Sequence, residues 1–186
     1  HDDSVAGRLR AGQEAPCAGR LDGRPGQALR GAALELRSVG ILSGSEMNTT
    51  LEVPGFVPRA DGDLVASTDR VGPGYFRTIG APLLRGRDIE TQDDEKAPRV
   101  AVINEAPARA YWPGESPLDK TILLEGPGAT QPMRIVGIVA SVRHDGPRQP
   151  VKPEVYVPAA QRAGRAMTIV VRANGEPTAA VAAVRH

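Results

Sequence analysis

Apolar residues recur at strand spacing from about residue 38 onward, in short runs separated by Gly and Pro. Leu51-Glu-Val53 ahead of Pro54-Gly55 predicts a short strand ending in a turn. Leu64-Val-Ala-Ser-Thr-Asp-Arg-Val71 alternates and predicts a second strand. Pro73 opens a helical turn or two over Gly74–Ile79, which Gly80 closes. Pro82–Gly86 reads as a short extended piece and turn. Arg99–Ile103 is a buried-type strand, after which Asn104 caps a helix that runs to Tyr111 and breaks at Trp112-Pro113-Gly114. Thr121–Leu124, Met133–Val142, Glu154–Val157 and Met167–Val171 predict four further strands, and Pro177–Val184 a final Ala-rich helix.

The first 37 residues are rich in Arg, Gly and Ala and follow neither periodicity. Within them Ala28–Arg37 predicts a short helix, weakened by Gly31, and the stretch before it reads as linker. Strands outnumber helices and their order is irregular. The expected class is therefore α+β, with a mixed or antiparallel sheet and short helices, rather than a doubly wound nucleotide fold. No internal repeat is visible.

Composition narrows the function. The chain has 186 residues with 23 Lys+Arg against 22 Asp+Glu, a balance that argues against a nucleic-acid binder. Gly 21 and Pro 17 disfavour a helical bundle, and 3% aromatics supply no stacking platform. The single cysteine, Cys17, excludes an intrachain disulfide and a cysteine-based zinc site. No apolar run approaches the roughly 20 residues of a membrane-spanning helix, and no signal peptide is visible. A start at His1 rather than Met is expected for a segment of a longer protein.

Each candidate for chemistry has a plainer reading. Gly72, Gly74 and Gly80 lack the spacing of a phosphate loop, and Pro73 removes an N–H that would hold phosphate. The acidic stretch of Asp88, Glu90, Asp93, Asp94 and Glu95 lacks the EF-hand spacing and reads as a solvated helix start. His144, the only internal histidine, neighbours Asp145 on a strand that points them to opposite faces, and Ser43 is not in a nucleophile elbow. No catalytic, cofactor-binding or metal-ligating residue is assigned.

The ordered series Val71-Gly-Pro-Gly-Tyr-Phe-Arg-Thr-Ile-Gly80, Pro82-Leu-Leu-Arg-Gly-Arg-Asp88 and Val100-Ala-Val-Ile-Asn-Glu-Ala106 resembles the periplasmic core domain of MacB-like, FtsX-like ABC transporter permeases. Tyr111–Leu118, Ile135–Val139, Ser141–His144 and Pro153–Pro158 continue the series. The residues that carry the resemblance are Pro73, Tyr75, Phe76, Gly80, Gly86, Arg87, Asn104, Glu105, Trp112, Pro117, Gly137 and Tyr156, in structural roles. Pro107, Asp119 and Ala140-Ser141 depart from the family pattern, and residues 1–37 do not match its first strand and helix.

The resemblance implies two small αβ subdomains: a porter-like part in two halves, and a sabre-like part inserted at about residues 72–130, together spanning 38–186. It implies a periplasmic domain of an inner-membrane protein, moved by a cytoplasmic ABC ATPase on a separate chain or domain. Such a domain transmits motion, docks cargo or a periplasmic adaptor, pairs with a second copy or a second permease domain, and takes no cofactor and no nucleic acid. Two alternatives remain. One is an extracytoplasmic binding module for an anion or peptide, with several of Arg70, Arg77, Arg85 and Arg87 lining a concave face. The other is a small hydrolase using a carboxylate pair.

Overall fold

In the computed structural model the described residues are 5–8, 33–37, 47–60, 62–125, 129–142, 151–162 and 168–172. The elements run β1 (Val5–Arg8), β2 (Ala33–Arg37), β3 (Asn48–Glu52), β4 (Val65–Val71), α1 (Tyr75–Ile79), β5 (Leu83–Gly86), β6 (Val100–Asn104), α2 (Glu105–Tyr111), β7 (Thr121–Leu124), β8 (Gln131–Val139), β9 (Glu154–Pro158) and β10 (Thr168–Arg172). All ten strands belong to one mixed sheet, in keeping with the α+β expectation.

Six of these strands close on themselves. β4 pairs with β3, β3 with β7 and β7 with β8, all antiparallel. β8 lies parallel to β6, β6 antiparallel to β9, and β9 returns parallel to β4. β3 makes this closure by dividing its length: Asn48–Thr50 pair with β4, while Leu51 and Glu52 pair with β7. The result is a small closed barrel, which leaves no free edge among those six strands. β5 lies outside the ring as a flap on β8. β1, β10 and β2 form an antiparallel ribbon joined to the barrel through the Arg37–Val71 pairing.

Strand alternation separates two cores. On β6, Ala101 and Ile103 belong to a cluster inside the barrel with Leu124, Ile135, Val155 and Val157. Their neighbours Val100 and Val102 face outward, into a second cluster with Val136, Tyr156 and the α1 residues Tyr75 and Phe76. β6 and β9 are buried along their whole length, which explains their nearly unbroken apolar runs. α1 is held at both ends by left-handed glycines, Gly74 at φ 85° and Gly80 at φ 76°.

Three expectations need correction. Ala33–Arg37 is a strand rather than the end of a helix, because pairing with β10 outweighs the helix propensity of Ala, Leu and Arg. The segment before residue 38 is not merely linker, since β1 and β2 both pair with β10. The acidic stretch from Asp88 is loop and turn rather than a helix start, because its carboxylates are engaged within the loop. Within the stretch 72–130 expected as the inserted part, β6 pairs with β8 and β9, and β7 with β3 and β8. The expected helix Pro177–Val184, and with it Cys17, Ser43 and His144, lies outside the described residues.

Candidate functional site

Some of the residues singled out from the sequence, among them Gly86, Arg87, Gly137, Asn104 and Tyr156, gather into two knots around the barrel wall. The first is a backbone crossing. Gly86 ends β5 at φ 76°, and a Cβ there would run into the carbonyl oxygen of Val136. Gly137 answers from β8, where a Cβ would strike the carbonyl oxygen of Arg87. The Arg87 N–H donates to the Val136 carbonyl at 2.9 Å, so the two chains cross at hydrogen-bonding range. Both positions require the absence of a side chain.

Directly after the crossing, Arg87 clamps the loop. Its Nη1 and Nη2 donate to Oδ2 and Oδ1 of Asp93 at 2.7 and 2.8 Å, and Nη1 also reaches the Asp88 carbonyl at 2.9 Å. The Glu90 N–H donates to Asp93 Oδ2 at 2.9 Å. Burial pushes the Asp93 carboxyl up, but the Arg87 and Glu90 hydrogen bonds and the Arg87 charge outweigh it and hold the group below its usual range. The same hydrogen bond raises Arg87. Asp88 moves the other way, raised chiefly by burial.

The second knot is a buried polar group between β6 and β9. Asn104 is fully buried, and its Nδ2 donates to the Lys152 carbonyl at 2.9 Å and to Glu154 Oε2 at 3.3 Å. The Glu154 N–H donates to Asn104 Oδ1 at 3.1 Å, and the Tyr156 hydroxyl to Glu154 Oε2 at 2.5 Å. Asn104 does stand at the N-cap position of α2, yet its side chain makes no cap bond and is spent across the sheet instead. On the outer face Tyr156 meets Phe76 edge-on at 4.9 Å and Tyr75 at 6.2 Å.

The remaining motif residues lie apart from these knots. Pro73 is exposed ahead of α1, and Gly80 ends that helix. Glu105 pairs on the surface with Arg109 at 2.6 Å. Trp112 packs edge-on against Tyr111 at 5.8 Å, and Pro117 is buried nearby in the chain. A pocket of about 270 Å³ is lined by Phe56, Arg59, Asp63, Ala110 and Tyr111, and the Tyr111 hydroxyl donates to the Asp63 carbonyl at 2.7 Å. The arginines of the anion-binding alternative sit on different elements: Arg70 on β4, Arg77 on α1, Arg85 on β5, and Arg87 in its clamp.

Sequence reasoning missed Glu154 and Gln161. Gln161 is buried, accepts from the Val100 N–H at 3.1 Å and donates to the Pro98 carbonyl at 3.0 Å. A lone Gln in a turn carries no signal, whereas Glu154 heading an otherwise apolar strand was a visible oddity. Chemically, these arrangements lock backbone segments together. Among the described residues no three His, Cys, Asp or Glu side chains converge as a metal site, and no helix is long and apolar enough to cross a membrane.

The family model described as the MacB-like periplasmic core domain matches residues 7–186. A macrolide export ATP-binding/permease protein MacB from Mannheimia succiniciproducens is 33% identical over 70 residues, 38% of this chain and 10% of that protein. The MacB of Aggregatibacter actinomycetemcomitans is 29% identical over 76 residues, 41% of this chain and 11% of the relative. The chain thus spans only about a tenth of the length of these curated relatives. Among solved structures, the periplasmic region of MacB from Actinobacillus actinomycetemcomitans superposes with a TM-score of 0.59 at 19% identity, over 82% of this chain and 63% of that one. The extracellular domain of the noncanonic ABC-type transporter YknZ from Gram-positive bacteria gives 0.56 at 15% identity, over 82% and 72%.

Proposed function

Because the chain belongs to the family of MacB-like periplasmic core domains and is extracytoplasmic, we propose that it is the non-catalytic ectodomain of an ABC transporter permease that transmits motion during ATP-driven transport. The observation that carries this reading is the closed barrel with a packed core on each face of its wall. A body of this kind moves as a unit, because displacing any barrel strand breaks pairings on both sides, and β4, β6, β8 and β9 each line both cores. The crossing at Gly86 and Gly137 and the polar knot at Asn104 add stiffness where the flap and α2 leave the barrel.

In this reading the ATPase acts from the cytoplasm on a separate chain or domain. The ectodomain pairs with a second copy or a second permease domain, and offers a surface to cargo or to a periplasmic adaptor. The same reading divides the domain into a porter-like part in two halves and an insert-like part at about residues 72–130, within 38–186. Calorimetric titration of the domain with ATP tests the division of labour. The expected result is no saturable heat, and saturable nucleotide binding would contradict it.

A further inference from the structure

One mouth of the barrel gathers arginines from three strands that the sequence keeps far apart. The pairings bring to this rim the ends of β4, β7 and β9 and the starts of β3, β6 and β8. Arg70 shares the inward face of β4 with Thr68 and Ala66, and Ala66 lies in the inner core. Arg99 precedes β6 in register with the inward residues Ala101 and Ile103. Arg162 follows β9 and crosses the mouth, its Nη2 donating to the Glu125 carbonyl at the end of β7 at 2.8 Å.

The rim is pre-set. Gln161 fixes the turn after β9 to Pro98 and Val100, and Arg99 Nη1 donates to the Gln161 carbonyl at 3.2 Å. Beneath the rim, Thr68 Oγ1 is buried and has no hydrogen-bond partner among the described residues. Glu125 also stands at this rim, with its carbonyl rather than its carboxylate engaged by Arg162.

We propose that this mouth is a binding site for a phosphate-type oxyanion, held by Arg99 and Arg162, with Arg70 and the Thr68 hydroxyl on its inner side. Guanidinium forks match the paired oxygens of such an anion, and a rim fixed before binding loses little freedom on occupation. The electrostatics agree: burial lowers the Arg162 guanidinium first, and the charges of Arg70 and Arg99 lower it further, a repulsion that a bound anion offsets. The proposal is independent of the transport reading.

The test is titration of the chain with inorganic phosphate, following NMR shifts at fixed ionic strength with chloride as reference. Saturable shifts at the amides of residues 68–71, 99–100 and 159–162, weakened about tenfold or more in both Arg99→Gln and Arg162→Gln, support the site. Circular dichroism melts confirm that each variant is folded, and Arg109→Gln serves as the control that keeps parental affinity. Competition with phosphatidylglycerol vesicles then separates sources: displacement assigns the site to a lipid phosphate, and its absence to a free anion. Phosphate shifts no larger than those in chloride, or equal in parent and both rim variants, overturn the proposal.

Discussion

The α-carbon of Gly137 on β8 lies so close to the carbonyl of Arg87 that any Cβ there would come within 3.0 Å of it. The same holds in reverse for Gly86 against Val136. Two chain segments therefore cross at a distance that only glycine permits, and the Arg87 clamp starts from that crossing.

Gly137→Ala is expected to destabilise the domain by about 3 kcal/mol, since the obstacle is backbone on both sides and cannot rotate away. Gly55→Ala is the comparison. Gly55 has φ 84° but nothing within 4 Å, so only backbone strain of about 1 kcal/mol is expected. Urea unfolding midpoints of the two variants check the difference. Equal losses would mean that the crossing is not tight.

Asp93→Asn is expected to cost about 2 kcal/mol at neutral pH, because it leaves the half-buried Arg87 with half a partner at the nearly closed Asp93 position. The sign of its pH dependence follows from the direction of the shift. The folded carboxyl titrates below its ordinary value of 3.8, so its contribution is full above that value and is lost as pH falls through the depressed one. The stability gap between parent and variant is therefore flat from neutral pH to about pH 5 and closes only below 3.8. Denaturation series at stepped pH measure it, and a gap that closes near neutrality would contradict the clamp.

Asn104→Ala is expected to remove about 3 kcal/mol, since it takes three hydrogen bonds of the buried Asn104 side chain away from the Glu154 N–H, the Glu154 carboxylate and the Lys152 carbonyl. Glu105→Ala, one residue on, breaks only an exposed pair with Arg109 and should cost less than about 0.5 kcal/mol. Were Asn104 simply a helix cap, its loss would be about 1 kcal/mol and Asn104→Ser would restore it. In the knot described here serine is too short to reach both strands, and denaturation of the three variants separates the two roles.

The strands from β3 to β10 and both described helices were legible in the sequence, because alternation and the glycines at 74 and 80 are local signals. Closure of the barrel was not. It depends on the parallel pairing of Ser67–Val71 with Glu154–Pro158, and neither strand carries a mark of its distant partner. The Arg87–Asp93 clamp was half legible: both residues stood out, but the loop that turns one onto the other is set by the crossing at Gly86. Ala33–Arg37 misled because its residues favour a helix in isolation, and only β10 makes it a strand.

The central claim is that this domain moves as one stiff body. It is tested most directly by spin-label distances in the full-length permease assembled with its ATPase. One label pair goes within the domain, on the exposed Val57 and Leu84, and one between Val57 of this domain and its counterpart in the second copy. ATP binding is expected to shift the inter-copy distance while the Val57–Leu84 distribution stays unchanged. An inter-copy distance that stays fixed, or a Val57–Leu84 distance that changes with nucleotide, would contradict the account.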